Sequence, residues 1–363
     1  MKDISITTFN CGKHFPYDER VQLQSVLDCL IPPSSDPLDL YVIGFQELVE
    51  IWEGSFTQIV NNGLLKIADG VVSLLQLRFP DEHFQVIATS NLGAIGMVIV
   101  GKQYLQIRDI QKGNCSRGMF YSNLKGGTAI HMNLLEDDRW ENFVFMNCHL
   151  AANEGEWNRE LRVQDQDAII KSCFNQFQLA SMSRSHVFFL GDLNFRNFKQ
   201  YDAYSTDYSN TYTRQEILQE IDELNILRHR GTIFEGFEEP PITFLPTFKY
   251  ILDGTNKYNP KRVPSWCDRV LYSTYNSKIK TKYTSMRREQ PLLFSDHQPV
   301  NLTATLPELY YPRHAITISS ISTNHVTDLV DTVIGYTGWM VSLRVHWCIL
   351  ALLILFIIYK KLI

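Results

Sequence analysis

The feature of this sequence that most constrains its fold is a series of short apolar runs, each bounded by polar or charged residues. Runs this short, rich in β-branched and aromatic residues, are typical of buried strands rather than of helices. They predict strands at residues 4–9, 40–45, 143–146, 187–190, 266–272 and 292–294. Stretches with helical periodicity lie at residues 64–77, 160–177 and 215–227. Together they predict an α/β (α+β) sheet protein.

The residues that flank these strands are of types that build a catalytic site. They are Asn10, Glu47, His149, Asp192, Asn194, Asp268, Asp296 and His297. A single aspartate at a strand end is more often a turn former than a ligand. Polar groups at six strand ends instead predict one sheet edge that carries a site. Carboxylate and amide oxygens suit Mg²⁺, and imidazoles suit phosphoryl contact and proton transfer.

The composition argues against several classes of protein. Lys and Arg total 34 against 39 Asp and Glu, a net charge of -5, which does not favour a nucleic-acid partner. The seven cysteines contain no CxxC pair, which argues against a disulfide framework or a structural zinc site and indicates a reducing compartment. The first residues lack the apolar segment of a secretory signal. We therefore expect the body of the chain to lie in the cytosol.

An uncharged run at residues 345–359 lies between Arg344 and Lys360-Lys361. It is shorter than the roughly 20 residues that span a bilayer, although flanking Arg, Lys and aromatic side chains extend its reach. A buried core helix and a helix lying in the membrane interface are the alternatives. The central residues leave no polar face for an interfacial helix. We predict a membrane anchor at residues 344–363 and a Ser/Thr-rich tether at 312–343, with a short amphipathic helix near 326–334.

Six segments carry a resemblance to a known family. They are GFQE (44–47), NCHLAANEGEWNRE (147–160), FLGDLNFR (189–196), PTFKY (246–250), PSWCDRVLY (264–272) and SDHQPV (295–300). In order and spacing they resemble the inositol polyphosphate 5-phosphatases over residues 1 to about 306. The resemblance implies a DNase I-like, four-layer sandwich of two mostly antiparallel sheets flanked by helices, with a catalytic domain at residues 1–311. With the predicted C-terminal transmembrane helix, the chain is most similar to tail-anchored members of the endoplasmic reticulum membrane.

The resemblance also implies which residues bind the metal and activate water. Glu47, assisted by Asn10 and Asp296, would bind Mg²⁺. Asp192 would orient and deprotonate the attacking water, and Asn194 would hold that water or a developing phosphoryl oxygen. This is in-line attack of water on phosphorus, with the spreading negative charge stabilised by metal and fixed donors.

Further residues would contact the phosphate groups. His297 would contact the scissile phosphate, with Asp268 fixing its tautomer, and His149 would donate to a phosphate oxygen from the other side. The substrate-binding residues implied by the resemblance are Lys249, Lys261, Arg262, Lys125 and Arg196. The sequence departs from the family pattern at Leu124, Phe248 and Pro260, which weakens the case for highly phosphorylated soluble inositols.

The activity implied is hydrolysis of the 5-phosphate of phosphatidylinositol 4,5-bisphosphate at the endoplasmic reticulum membrane, with the catalytic domain facing the cytosol. Two alternatives remain open. One is a superfamily nuclease, an abasic-site endonuclease or a deadenylase, which the acidic balance and the PSWCDR segment oppose. The other is a catalytically inactive membrane adaptor, which the intact set of acidic residues and histidines opposes.

Overall fold

The structure is a computed structural model that describes residues 2–136, 139–179, 185–198, 206–275, 279–306 and 327–344, together with 347, 354, 355 and 357. The strands within these residues are β1 (Lys2–Asn10), β2 (Leu40–Gln46), β3 (Phe84–Leu92), β4 (Ile95–Lys102), β5 (Ile107–Ser116), β6 (Gly126–Glu136), β7 (Arg139–His149), β8 (Ser185–Asp192), β9 (Asp268–Thr274), β10 (Lys280–Ser285) and β11 (Val300–Leu306). The helices are α1 (Arg20–Leu30), α2 (Ile51–Gly54), α3 (Thr57–Arg78), α4 (Glu156–Gln176), α5 (Thr211–Glu220), α6 (Glu223–His229) and α7 (Thr327–Ser342).

The strands form two sheets. The first has the order β10-β11-β1-β2-β4-β3 and the second has the order β5-β6-β7-β8-β9. Each sheet contains one parallel pair among the described strands, β1 with β2 and β7 with β8, and the other neighbours are antiparallel. The predicted pair of mostly antiparallel sheets flanked by helices is therefore confirmed.

Three apolar cores account for this arrangement. The central core joins the two sheets, with Ile4 and Val42 of the first in the same cluster as Phe145 and Phe188 of the second. A second core packs α1 and α3 on the first sheet, and a third packs α4 and α6 on the other. Both faces of each sheet are thus covered, because a buried strand must hide apolar side chains on both sides.

Two sequence predictions need correction. Residues 215–227 form two helices instead of one, because Asp222 begins α6 as its N-cap and accepts a hydrogen bond from the Asn225 amide. Residues 292–294 form a single 3₁₀ turn instead of a strand. The buried Arg288 guanidinium donates to the carbonyls of Leu293 and Ser295, so this backbone is paired by a side chain and not by a sheet ladder.

The C-terminal region contains a helix that packs against the body. Helix α7 lies in the range predicted as a tether and contacts α2. Gly335 faces α2 closely, since a Cβ there would lie 2.9 Å from the Ser55 Cβ. The predicted anchor at residues 344–363 falls mostly outside the described residues. Among the residues that the structure does describe, no helix combines the length and apolar character needed to cross a bilayer.

Candidate active site

The predicted site residues meet where the two parallel pairs end. Asn10 is the last residue of β1, and His149 and Asp192 are the last residues of β7 and β8. The Asn10 side-chain amide donates to Oδ2 of Asp192 at 2.9 Å, which joins the two sheets across the central core. Glu47 directly follows β2, in a left-handed backbone conformation with φ of 47°. The carboxyl ends of four strands, two from each sheet, therefore build one polar centre, whereas the sequence predicted a site at the edge of a single sheet.

Asp192 lies at the middle of this centre. Its Oδ2 is 3.3 Å from Nε2 of His149 and 3.9 Å from Nε2 of His297. Burial alone would raise the pKa of Asp192, but the charge of His297 and the hydrogen bond and charge of His149 hold it far below its usual range. The group is therefore an ionised hydrogen-bond acceptor in the interior of the protein.

Asp268 and His297 form a hydrogen-bonded pair beside Asp192. Oδ2 of Asp268 accepts from the Thr247 hydroxyl at 2.6 Å and lies 2.9 Å from Nδ1 of His297. Burial raises the pKa of Asp268. Burial alone would lower the pKa of His297, but Asp268 and Asp192 raise it to about 9. At neutral pH His297 is thus a cation that donates Nδ1–H to Asp268, which leaves Nε2–H available as a second donor.

The group of His149, Asp192, Asp268 and His297 is called the catalytic cluster below. Its four side chains are at most 4% exposed. Asp192, Asp268 and His297 each place one possible ligand atom within 4.8 Å of the others, which is a geometry that can hold a metal. Within this group Asp268 and His297 are joined by a hydrogen bond, and Oδ2 of Asp268 also accepts from the Thr247 hydroxyl.

The residues predicted to bind Mg²⁺ surround this cluster. Oε1 of Glu47 is 4.0 Å from Nε2 of His149, and the Glu47 side chain is about one-third exposed. Oδ1 of Asp296 is 3.9 Å from Nε2 of His297, while its other oxygen pairs with Lys249 at 2.7 Å. With Asn10 these residues offer carboxylate and amide oxygens and no thiolate, which is the donor chemistry that suits Mg²⁺.

The predicted phosphate-contacting residues divide into two groups. Lys125 contacts His149, and burial lowers the pKa of Lys125 to about 8. Arg196 is buried, contacts the Asn194 side-chain oxygen, and lies over the Phe248 ring at 4.4 Å. The structure thus brings these side chains, with Lys249, to the cluster.

The other predicted pair lies farther out. Lys261 and Arg262 are exposed. The Arg262 guanidinium donates to Oδ1 of Asn153 at 3.4 Å. Both remain predicted substrate contacts. Their loop is linked to Lys249 through Asn259, whose amide donates to the Lys249 carbonyl at 2.7 Å and whose carbonyl accepts from the Arg262 amide.

Sequence reasoning missed residues that hold the site in place. The Asn147 side chain donates to the carbonyls of Phe45 and Gly96 and accepts from Gln46 at 2.6 Å, which fixes β7 against the other sheet. A Cβ at Gly44 would lie 2.6 Å from Oδ1 of Asn147, so only glycine fits there. Asn147 and Thr247 both lie inside the segments that resemble the family. Their place in these segments was the sequence signal that could have identified them as site residues.

A cleft of about 230 Å³ opens beside the catalytic cluster. The residues that line it include Glu47, Asn123, Lys125, His149 and Asp331. Asp331 belongs to α7 and was not predicted. Nothing in the sequence around it (TDLVDTVIG, residues 327–335) resembles a family segment, and this range was predicted as a tether.

Comparison with known families gives one match that covers most of the chain. The profile of Endonuclease/Exonuclease/phosphatase family 2 matches residues 7–303. Among curated relatives, phosphatidylinositol 4,5-bisphosphate 5-phosphatase A of Rattus norvegicus is 28% identical over 82% of this chain and 30% of its own length. Polyphosphatidylinositol phosphatase INP53 of Saccharomyces cerevisiae is 29% identical over 72% of this chain and 23% of its own length. The chain spans less than a third of each of these relatives, and their names confirm the resemblance to inositol polyphosphate 5-phosphatases.

Solved structures share the fold. The inositol polyphosphate 5-phosphatase domain of SPsynaptojanin, solved with inositol (1,4)-bisphosphate and calcium, has a TM-score of 0.62 and 22% identity over 94% of this chain and 92% of that one. Cimex nitrophorin, solved as a ferrous NO complex, has a TM-score of 0.54 and 16% identity over 84% of this chain and 97% of that one. The same fold therefore occurs in a ferrous NO complex and in a phosphatase domain, so the function has to be argued from the site.

Proposed function

The chain belongs to the endonuclease/exonuclease/phosphatase family 2, and from that membership we propose that it is a Mg²⁺-dependent phosphoinositide 5-phosphatase. The reaction is hydrolysis of the 5-phosphate of phosphatidylinositol 4,5-bisphosphate to phosphatidylinositol 4-phosphate and phosphate. The observation that carries the proposal is the catalytic cluster, in which a buried ionised carboxylate, Asp192, lies between two histidines. The names of the curated relatives support the substrate class.

The cluster supplies the groups that attack on a phosphate monoester needs. Asp192 accepts a hydrogen bond from the attacking water and turns a lone pair of that water toward phosphorus. Because its pKa is low, Asp192 is a weak base, and it contributes more by orienting the water than by taking its proton. His297 donates Nε2–H to a phosphoryl oxygen, where negative charge grows in the transition state, and Asp268 holds the ring in place.

A divalent cation fits the oxygen donors that surround the cluster. We propose that Glu47, with Asn10 and Asp296, holds Mg²⁺ beside the phosphate group. When bound, the ion would polarise the phosphoryl oxygens and offset the charge that develops during hydrolysis. The carboxylate of Asp296 also anchors Lys249 at 2.7 Å, so one residue serves both the cation site and a phosphate-binding lysine.

The basic residues beside the catalytic cluster favour a doubly phosphorylated lipid head group. Lys125 and Lys249 offer two separate cationic contacts, which match two phosphates on one inositol ring. Phe248 stacks with His297 at 4.4 Å between ring centroids and offers no hydroxyl. We propose that the lost hydroxyl contact is offset by concentrating the enzyme at the membrane, through an anchor at residues 344–363 in the endoplasmic reticulum.

The test is a phosphate-release assay with the purified full chain in detergent micelles. The substrates are phosphatidylinositol 4,5-bisphosphate, 3,4,5-trisphosphate and 3,5-bisphosphate, inositol 1,4,5-trisphosphate, and a DNA duplex with an abasic site. We expect the highest kcat/KM on the 4,5-bisphosphate lipid. Cleavage of the DNA without phosphate release would establish the nuclease alternative, and no turnover on any substrate would establish the adaptor alternative.

A further inference from the structure

Helix α7 forms part of the wall of the cleft. Its Asp331 lines the cleft together with Lys125, Glu47 and His149, and is 6% exposed. The Oδ1 atom of Asp331 accepts a hydrogen bond from the backbone amide of Asn123 at 2.8 Å. The two residues are 208 positions apart in the chain. A segment beyond the family match at 7–303 therefore reaches into the cleft.

The loop that Asp331 contacts ends at Lys125. The amide of Arg117 donates to the Lys125 carbonyl at 2.8 Å, which closes residues 117–125 into a compact loop. The Ser116 hydroxyl donates to the Asn123 side chain at 2.5 Å. On its other side, the Asn123 carbonyl lies so close to Gly93 that a Cβ at Gly93 would collide with it. Asn123 is thus held between Gly93 and Asp331, two positions before Lys125.

The position of α7 is fixed by close packing against the body. A Cβ at Gly338 would collide with the Trp52 Cβ, and Gly335 lies against Ser55. Tyr336 packs edge-to-face on Phe56 with ring centroids 5.5 Å apart. Two glycines on one face let the helix backbone approach closely, and the aromatic contact sets its rotation. A helix seated this tightly holds its carboxylate at a fixed place in the cleft.

We propose that Asp331 is a positioning residue: by binding the Asn123 amide it fixes the 117–125 loop and holds Lys125 where it contacts a phosphate group of the substrate. The inference rests on the proposed function for the identity of that substrate. The residues 117–125 and helix α7 together are called the cleft wall below. The wall sets affinity, and the catalytic cluster carries the chemistry.

The contact itself is tested by hydrogen exchange of the Asn123 amide in the full chain without substrate. Asp331→Ala removes the acceptor, and we expect exchange to speed up by at least about tenfold, the effect of losing one buried hydrogen bond. Asp331→Asn keeps an oxygen acceptor and should stay within about threefold of the wild type. Val333→Ala, on the exposed face of the same helix, is the matched control and should change nothing. Unchanged exchange in Asp331→Ala would overturn the proposal.

The route through Lys125 is tested by a double-mutant cycle on short-chain, water-soluble phosphatidylinositol 4,5-bisphosphate. Asp331→Ala and Lys125→Ala should each raise KM by about threefold to tenfold, and the double variant should match Lys125→Ala alone. Effects that add would show that Asp331 does not act through Lys125. If the wild type releases no phosphate, the proposed function fails, and the same cycle run on the calorimetric Kd of this lipid still decides the role of Asp331.

Discussion

The catalytic cluster and the cleft wall lie on the same cleft but are built differently. His149, Asp192 and Asp268 of the cluster lie at the ends of β7, β8 and β9 in the second sheet, and His297 lies just before β11. All four lie within the family match at 7–303. The wall joins a loop to a helix that begins at Thr327, outside that match. The strands β7 and β8, which carry His149 and Asp192, are fixed by a ladder of backbone hydrogen bonds on each side. Helix α7 is instead held by side-chain packing and a loop contact. Under the proposals above, the catalytic groups lie in the part of the fold that the family match covers, and substrate affinity also depends on a helix outside it.

The largest effect we expect is the loss of activity when divalent cations are removed. Excess EDTA should reduce phosphate release to the assay background, because the single positive charge of His297 does not replace the double charge that the proposed cation supplies. Added Mg²⁺ should restore the rate, and a zinc-selective chelator should have no effect, since the proposed ligands are oxygens. Full activity in EDTA would contradict the proposed mechanism. It would show that the catalytic cluster works without a metal ion.

The substitution Asp192→Ala should lower kcat by about 10² to 10⁴, because the attacking water loses its orienting carboxylate. KM should change little, since Asp192 faces the water rather than the head group. Asp69→Ala, at an exposed position of α3, is the matched control. Steady-state kinetics with equal folded protein, checked by circular dichroism, give the comparison. A folded Asp192→Ala protein with near-normal kcat would show that the cluster is not the catalytic centre.

The substitution Asp268→Asn should have a smaller effect, of about 10- to 100-fold on kcat. The substituted side chain is a neutral amide, so it no longer offers the His297 ring a charged acceptor. Its oxygen can still accept a hydrogen bond from the Thr247 hydroxyl. The chemical shifts of the His297 ring, followed by NMR, should change at the same time. Thr247→Val should give a change in the same direction and of lower magnitude. Equal kcat in Asp268→Asn and the wild type would show that Asp268 has no role in catalysis.

The smallest effect belongs to the wall. Gly338→Leu should displace α7, because no side chain fits against Trp52, and KM should rise by about tenfold with kcat within about twofold. Thr332→Leu adds the same side chain at an exposed position of the helix and is the control. Kinetics on a water-soluble substrate keep membrane tethering out of the measurement. A fall in kcat as large as that of Asp192→Ala would show that the cleft wall acts on the chemical step and not only on substrate affinity.

The sequence predicted the cluster better than it predicted the wall, for physical reasons. Asp192 and His297 follow apolar runs or lie in family-like segments, and the register of a sheet places consecutive strand ends together. The turn at 292–294 was misread because a buried arginine satisfies its backbone, which no local pattern reveals. Asp331 was missed because its importance depends on a contact with Asn123, 208 positions away. The anchor at 344–363 stays a prediction.

The hydrogen bond from Asn10 to Asp192 links positions 182 residues apart, and the Ser295 hydroxyl reaches back 285 residues to the Asn10 carbonyl. Contacts of such high sequence separation form late in folding, after most loop-closure entropy has been lost. A chain that ends before Ser295 lacks this contact and also lacks β11, the strand that pairs with β1. After dilution from denaturant, recovery of turnover should therefore lag behind recovery of secondary structure. The rate at which activity returns would then report the last step of folding.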